Sequence, residues 1–125
     1  MYAALSLYPV EPGREAALAD VFARVSRVAL RHGALADASF APSGETTDER
    51  NYGLVGLDRI AAPAGTHWWF GLMLYRDRAH YDDVMAAFDA DPETAVLYEE
   101  FAGLIDPGSC LRGEFTKVAG SFAFD

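Results

Sequence analysis

The chain has 125 residues, of which 51% are hydrophobic and 23% charged, and this is the size and composition of one globular domain. Residues 1–125 are therefore predicted to form a single domain around one core. The net charge of −9 would repel a phosphate backbone, so nucleic acid is excluded as an expected partner.

The sequence carries no signal for a membrane or for secretion. It has no apolar run of about eighteen residues, and its start, MYAALSLYPVEPGREA, lacks the basic leader of a signal peptide. Cys110 is the single cysteine of the sequence, so no internal disulfide is expected. These features predict a cytoplasmic protein that does not enter a membrane.

The first part of the chain is predicted to contain a strand, a long helix and a second strand. Tyr2–Val10 is rich in aromatic and aliphatic side chains and is followed by turn residues, which is typical of a strand. Apolar residues every three or four positions predict a helix over Arg14–His32, which Gly33 would terminate. Ala34–Ala41 is predicted as a strand, and the polar segment Pro42–Arg50 as a mobile loop that could act as a lid.

The second part of the chain is predicted to contain a hairpin, two helices and a last strand. Asp77 and the Asp91-Pro92 step both suit the start of a helix, because Asp caps the first turn and Pro lacks the N–H that this turn leaves unbonded. The predicted elements are strands over Asn51–Arg59 and His67–Tyr75, a helix from Asp77 to Ala90, a helix from Asp91, and a strand over Cys110–Val118.

This order of elements is typical of a ferredoxin-like α+β domain, in which the helices cover one face of an antiparallel sheet. The bare face then needs a second subunit, and the sequence predicts a homodimer of the dimeric α/β-barrel type. In the strand His67–Tyr75 the side chains alternate between faces. The even positions Trp68, Phe70, Leu72 and Leu74 are expected under the helices, and the odd positions His67, Trp69, Gly71, Met73 and Tyr75 toward the partner.

The first and last strands suggest the same division. The apolar odd residues of the first strand, Ala3, Leu5 and Leu7, are expected under the helices, and its hydroxyl-bearing even residues toward the partner. In the last strand, Arg112, Glu114 and Thr116 alternate with apolar residues. Two such amphipathic faces, closed against each other, would make a cavity or a mixed polar interface.

Four stretches together resemble the YbaA-like domain-of-unknown-function family. They are HGAL at His32–Leu35, the strand WWFGLMLY followed by a capped helix, the Asp91-Pro92 step, and the closing CLRGEFTKV. That family belongs among the dimeric α/β-barrel proteins, so the resemblance implies a site in the barrel interior, between helices and sheet or between two sheets. Relatives with this fold include cofactor-free monooxygenases, haem-binding enzymes, isomerases and structural dimers, so the fold alone leaves the function open.

Three residues are candidates for catalysis. His67 could act as an acid or base, Arg112 could hold a carboxylate or enolate, and Glu114 could accept a proton. The plainer interpretations are a half-exposed histidine at a strand end and an Arg112–Glu114 pair that fixes the register of the dimer.

Four residues are candidates for ligand binding. Tyr8, Trp69 and Tyr75 could stack on a flat aromatic molecule, although aromatic side chains on a sheet are ordinarily packing residues. Gly71 either leaves room for a ligand or marks a bulge or a close contact with a partner backbone.

The resulting hypotheses are a homodimer that binds a small aromatic or acidic metabolite, a cofactor-free monooxygenase or isomerase, and a non-catalytic structural dimer. A haem-binding relative with His67 as iron ligand is a further alternative. No metal site is predicted, because the three histidines belong to three different elements, and no cofactor is required outside the haem alternative.

Overall fold

The computed structural model describes residues 1–44 and 51–123. Its elements, in order, are β1 (Tyr2–Val10), α1 (Glu15–Arg31), β2 (Ala36–Phe40), β3 (His67–Tyr75), α2 (Arg78–Ala90), α3 (Pro92–Leu104) and β4 (Leu111–Thr116), with short 3-10 helices at Leu57–Arg59 and Pro107–Ser109. Most of the predicted loop Pro42–Arg50 lies outside the described residues, so its action as a lid stays a prediction.

The four strands form one antiparallel sheet in the order β2-β3-β1-β4, and the helices of the described residues pack on one of its faces. The predicted ferredoxin-like α+β fold is confirmed. The two central strands, β1 and β3, pair along all nine residues of each. In the described part of the chain, no helix has both the length and the apolar character needed to cross a membrane.

The end of α1 sets the start of β2. Gly33 has a φ of +106°, a conformation that costs glycine little, and Ala34 donates its N–H to the carbonyl of Ala29 at 3.0 Å. This closure of the helix uses residues that the sequence pattern had assigned to the strand. β2 therefore begins at Ala36, two residues later than predicted.

Both predicted caps are present at the starts of α2 and α3. A carboxylate oxygen of Asp77 accepts a hydrogen bond from the N–H of His80 at 2.8 Å, and one of Asp91 accepts from the N–H of Glu93 at 3.0 Å. Pro92 follows as the first residue of α3. Local side-chain chemistry thus fixes where each helix begins.

The predicted strand Asn51–Arg59, and with it the predicted hairpin, was wrong. Tyr52 and Gly53 have φ values of +52° and +83°, which a strand cannot accommodate, and a 3-10 helix occupies Leu57–Arg59. The glycines at positions 53 and 56 interrupt what the composition suggested was a strand.

The predicted orientation of the sheet was also wrong. Trp69 and Tyr75 of β3 are buried under the helices, and so are Tyr2 and Ser6 of β1. Alternation shows which side chains share a face, but it does not show which face meets the helices when both faces are apolar. The tyrosines of β1 and β3 and Trp69 fill the space below the helices, and leucines, phenylalanines and Trp68 point the other way.

The sheet face opposite the helices, which we call the open face, is apolar on all four strands. Each strand residue on it is Ala, Leu, Pro, Trp, Phe or Gly. Phe40 stacks on Phe70 with 4.7 Å between ring centroids, and Phe40, Leu111 and Phe115 are exposed. The open face consists of Ala3, Leu5, Leu7, Pro9, Ala36, Ala38, Phe40, Trp68, Phe70, Leu72, Leu74, Leu111, Gly113 and Phe115.

Candidate functional site

The core between helices and sheet contains two clusters of buried residues in the described part of the chain. Tyr75, Tyr81 and Val84 belong to one cluster, and Leu18 and Trp69 belong to the other. A cavity of about 480 Å³ is bounded by residues that pack against both. The site is therefore an opening between two well-packed parts of one core.

Small residues on the sheet form the floor of this cavity. The strand register places Ser39, Gly71, Ser6 and Arg112 side by side in one row across the four strands. Ser6 and Arg112 line the cavity directly. This row has a glycine and two serines, whereas β3 carries Met73 in the row on one side and Trp69 in the row on the other. The sheet therefore leaves space above the row.

The ring of Tyr8 occupies part of that space. A Cβ atom at position 71 would lie 3.3 Å from Tyr8 Cε2 and 3.4 Å from the Tyr8 hydroxyl oxygen. Gly71 thus provides room for Tyr8 of its own chain, and the pairing of β3 with both neighbours continues through it without a bulge. The close contact expected at Gly71 is present, but with a side chain rather than a partner backbone.

The roof of the cavity is mainly apolar and comes from all three helices. The hydroxyl of Thr94, one of its few polar groups, donates to the carbonyl of Phe88 at 2.6 Å and is thereby occupied. Apart from the hydroxyl of Tyr98, the polar groups that could orient a ligand are therefore concentrated on the floor, in Ser6, Tyr8 and Arg112. The roof residues are Val21, Phe22, Val25, Met85, Phe88, Thr94, Leu97, Tyr98 and Phe101.

Arg112 is held in place by a hydrogen-bonded network at the β4 edge. Its Nη1 donates to Glu114 Oε2 at 2.8 Å, and its Nη2 donates to the Tyr81 hydroxyl at 2.8 Å. The Tyr81 hydroxyl itself donates to Glu114 Oε2 at 2.9 Å, and the Tyr2 hydroxyl donates to Glu114 Oε1 at 2.5 Å. The guanidinium of Arg112 also lies 5.9 Å from the centroid of the Tyr81 ring.

These contacts determine the acidity of Glu114. The hydrogen bond from Tyr2, followed by those from Arg112 and Tyr81, lowers the pKa of Glu114 to about 2. A carboxylate with this pKa is a poor proton acceptor near neutral pH. The geometry therefore suits Glu114 to hold Arg112 rather than to act as a general base.

Tyr8 and Asp37 are two titratable groups near the floor whose pKa burial shifts. Burial raises the pKa of Tyr8, and burial also raises the pKa of Asp37. Ser26 donates a hydrogen bond of 2.6 Å to Asp37 Oδ1, whereas the buried Asp37 Oδ2 has no partner among the described residues. Asp37 lies opposite Met73, on the row next to the floor and on the strand farthest from Arg112.

The structure brings together some of the residues predicted from sequence and separates others. Tyr8 and Arg112 line the cavity, Gly71 lies beneath Tyr8, and Glu114 binds Arg112. The remaining three lie outside the lining: Trp69 and Tyr75 are in the two core clusters, and His67 is at the start of β3, opposite Val10.

Sequence analysis did not identify Ser6 or Tyr81 as members of the site. The register of β1 against β3 and β4 is the signal that would have placed Ser6 beside Gly71 and Arg112. Tyr81 has the spacing of the other apolar residues on one face of α2, so its sequence position indicates packing. Its hydrogen-bond partners, Arg112 and Glu114, lie on β4, which is distant in sequence. Within residues 1–44 and 51–123, no group of three or more His, Cys, Asp or Glu side chains could hold a metal ion.

The fold and the cavity define a ferredoxin-like α+β domain with an internal site between its helices and its sheet. No family model matches the sequence, and no curated protein matches it. Among solved structures, it is similar to the X-ray crystal structure of protein Atu4242 from Agrobacterium tumefaciens, a Northeast Structural Genomics Consortium target. The two share a TM-score of 0.60 and 12% sequence identity over 94% of each chain, which bears on the fold alone.

Proposed function

We propose that this protein binds a small, largely apolar molecule, aromatic or acidic in character, in the cavity between its helices and its sheet. The cavity itself carries this proposal: its volume of about 480 Å³ suits a small molecule, and its apolar roof faces three polar groups on the floor. The ligand's ring or chain would contact the roof, and its polar group would lie against Ser6, Tyr8 and Arg112.

Arg112 favours a carboxylate or enolate as that polar group. A guanidinium has five N–H donors in a planar fork, and Glu114 and Tyr81 each accept one of them here. Because Glu114 already compensates the charge of Arg112, we expect hydrogen-bond geometry to contribute more to recognition than net charge does.

Binding is favoured over proton-transfer catalysis as the role of this site. The low pKa of Glu114 argues against it as a base, and His67 is not among the residues that line the cavity. His67 is therefore also poorly placed as an iron ligand for a haem in this cavity. A cofactor-free monooxygenase or isomerase would have to use other groups, such as Tyr8.

The binding proposal can be tested by calorimetric titration with phenylacetate and with its neutral amide, phenylacetamide. The wild type should prefer the carboxylate, and Arg112→Met should reduce that preference by tenfold or more, which is about 1.4 kcal/mol. Arg76→Met, a change to an exposed arginine outside the cavity lining, is the matched control. Absence of binding by either compound, or an unchanged preference in Arg112→Met, would count against the proposal.

The open face supports a second part of the proposal, namely that the protein is a homodimer joined sheet to sheet. Exposed Phe40, Leu111 and Phe115 on an otherwise apolar face form a surface of the kind that monomeric proteins avoid. Native mass spectrometry, followed by denaturation of the same sample, would report both the dimer and any bound molecule. A stable monomer at micromolar concentration would contradict the dimer, and a bare dimer without affinity for small acids would favour a purely structural role.

Membership in the YbaA-like family and a cytoplasmic location complete the proposal. The four short motifs that resemble the family support the first, and the single cysteine, Cys110, supports the second. A crystal structure of a family member with the same strand register and the same row of small residues would strengthen the case for family membership. Fractionation of the cells that produce this protein would test the cytoplasmic location.

A further inference from the structure

We infer that residues 51–60, which we call the arm, pack on the open face of a second copy of this chain. The inference rests on the homodimer proposed above and names the segment that completes its interface. Its starting observation is the exposure of four large aliphatic side chains in the arm: Leu54 is 77% exposed, Val55 75%, Leu57 73% and Ile60 47%.

The arm has a defined local shape. The N–H of Leu54 donates to the carbonyl of Asn51 at 2.8 Å, and the N–H of Ile60 donates to that of Leu57 at 3.0 Å. Gly53 adopts a φ of +83°, which closes the first turn. The arm is thus a compact series of turns that exposes Leu54, Val55 and Leu57 to solvent. A segment that packs only on its own domain would be expected to bury such side chains.

The size of the open face argues that a sheet-to-sheet dimer needs more surface than the strands provide. The strands have nine, five, nine and six residues. With a rise of about 3.4 Å per residue and a strand spacing of about 4.8 Å, such a sheet covers roughly 470 Å² in projection. Not all of this is available to a partner, because Pro9 and Leu74 on the open face are already buried within the single chain. A stable interface of standard size buries about 800 Å² per partner. The sheet alone is therefore smaller than the area that a stable interface buries on each partner. The aliphatic side chains of the arm add apolar surface to that of the sheet.

The position of the arm allows it to reach a second sheet. It belongs to the connection 41–66, which leaves the sheet after Phe40 and returns to it at His67. Packed sheets lie about 10 Å apart, and an extended chain advances about 3.3 Å per residue, so a few residues span the gap.

The chemistry of the arm matches that of the open face. No strand residue on the open face is charged, and the arm exposes aliphatic side chains beside the exposed Tyr52 and Arg59. Every copy of the chain carries both surfaces, so a two-fold dimer covers two arms and two faces at once. A second copy therefore accounts for both exposed surfaces, whereas a foreign partner would have to match both.

The first test compares dimer dissociation constants by sedimentation equilibrium. The double variant Leu54→Ser, Leu57→Ser should dissociate at least tenfold more readily than the wild type, with unchanged far-UV circular dichroism. Val96→Ser, which alters an exposed aliphatic residue of α3, is the matched control and should leave the constant unchanged. A wild-type dimer whose constant is the same in the arm variant would overturn the inference while leaving the homodimer standing, whereas a monomeric wild type would overturn both.

A second test detects the contact itself. A nitroxide spin label at position 57, in the variant Leu57→Cys with Cys110→Ser, is mixed with isotope-labelled wild type that carries no nitroxide. Amide signals of the open face in the labelled partner, such as those of Leu7 and Leu72, should broaden in the mixed dimer. Broadening that spares the open face would show that the arm packs elsewhere and would overturn the inference.

Discussion

At the scale of single residues, the contact between Gly71 and Tyr8 shapes the floor of the cavity. Gly71→Val would place a branched side chain where the Tyr8 ring lies, since even a Cβ atom there comes within 3.3 Å of Cε2. We expect this overpacking to reduce the free energy of unfolding by about 1 to 3 kcal/mol. Urea denaturation would measure the loss.

A double-mutant cycle separates this contact from a general effect of valine at position 71. In a Tyr8→Ala background the space above position 71 is free, so Gly71→Val should cost much less stability there than in the wild type. Equal costs in the two backgrounds would show that the ring of Tyr8 is not what limits the size of residue 71.

Glu114 gives a pH-dependent prediction. Its pKa falls from an ordinary 4.5 to about 2 in the folded protein, so the carboxylate contributes stability above pH 4.5 that is lost as the pH falls toward 2. Glu114→Gln should therefore melt at a lower temperature than the wild type at about pH 6, and this difference should shrink toward about pH 2.

Thermal melts followed by circular dichroism across this pH range would measure the effect. Glu99→Gln, a change to an exposed glutamate of α3, is the control and should show no comparable convergence with the wild type. If the gap between wild type and Glu114→Gln stays constant with pH, the carboxylate is not the form that the network stabilises.

At the scale of elements, the helix starts depend on single capping residues. Asp77→Ala removes the acceptor that bonds the N–H of His80 at 2.8 Å, and we expect a loss of about 1 kcal/mol in the free energy of unfolding. Asp77→Asn retains an oxygen acceptor and should preserve most of that stability. Chemical denaturation of the two variants is the measurement, and an Asp77→Ala variant as stable as the wild type would exclude a capping role.

The helices could be predicted from the sequence because their signals are local. Asp77, Gly33 and the Asp91-Pro92 step each act on neighbouring backbone groups, so their effect does not depend on the rest of the fold. The segment 51–59 lacks such a signal. Its composition resembles a strand, but the φ angles of Tyr52 and Gly53 turn the chain away from the sheet.

The site was predicted in part, for a physical reason. Tyr8 and Arg112 were identified by their chemistry, and they do line the cavity. The network around Arg112 depends on contacts between residues far apart in sequence, such as Tyr2 and Glu114, which no periodicity reveals. The orientation of the sheet was unpredictable because Tyr and Trp69 on one face and Leu, Phe and Trp68 on the other are both suited to burial.

At the scale of the whole molecule, the charge of −9 per chain affects how copies associate. Two acidic copies repel each other, so salt should strengthen the proposed dimer, because raising ionic strength from about 10 mM to about 150 mM shortens the Debye length from about 30 Å to about 8 Å. Sedimentation velocity at the two salt concentrations would test this. A dimer that weakens with salt would instead indicate ion pairs across the interface.

The pairing of β4 with β1 also has a consequence for how the protein is made. The hydrogen bond from Tyr2 to Glu114 joins residues 112 positions apart, and Arg112 lies on the same late strand. A ribosome must release residues 111–116 before the sheet gains its last edge, and contacts of such separation form slowly. A chain that stops short of residue 111 lacks Arg112 and this edge of the sheet, so retention on a phenylacetate resin would distinguish chains that contain β4 from chains that stopped short of it.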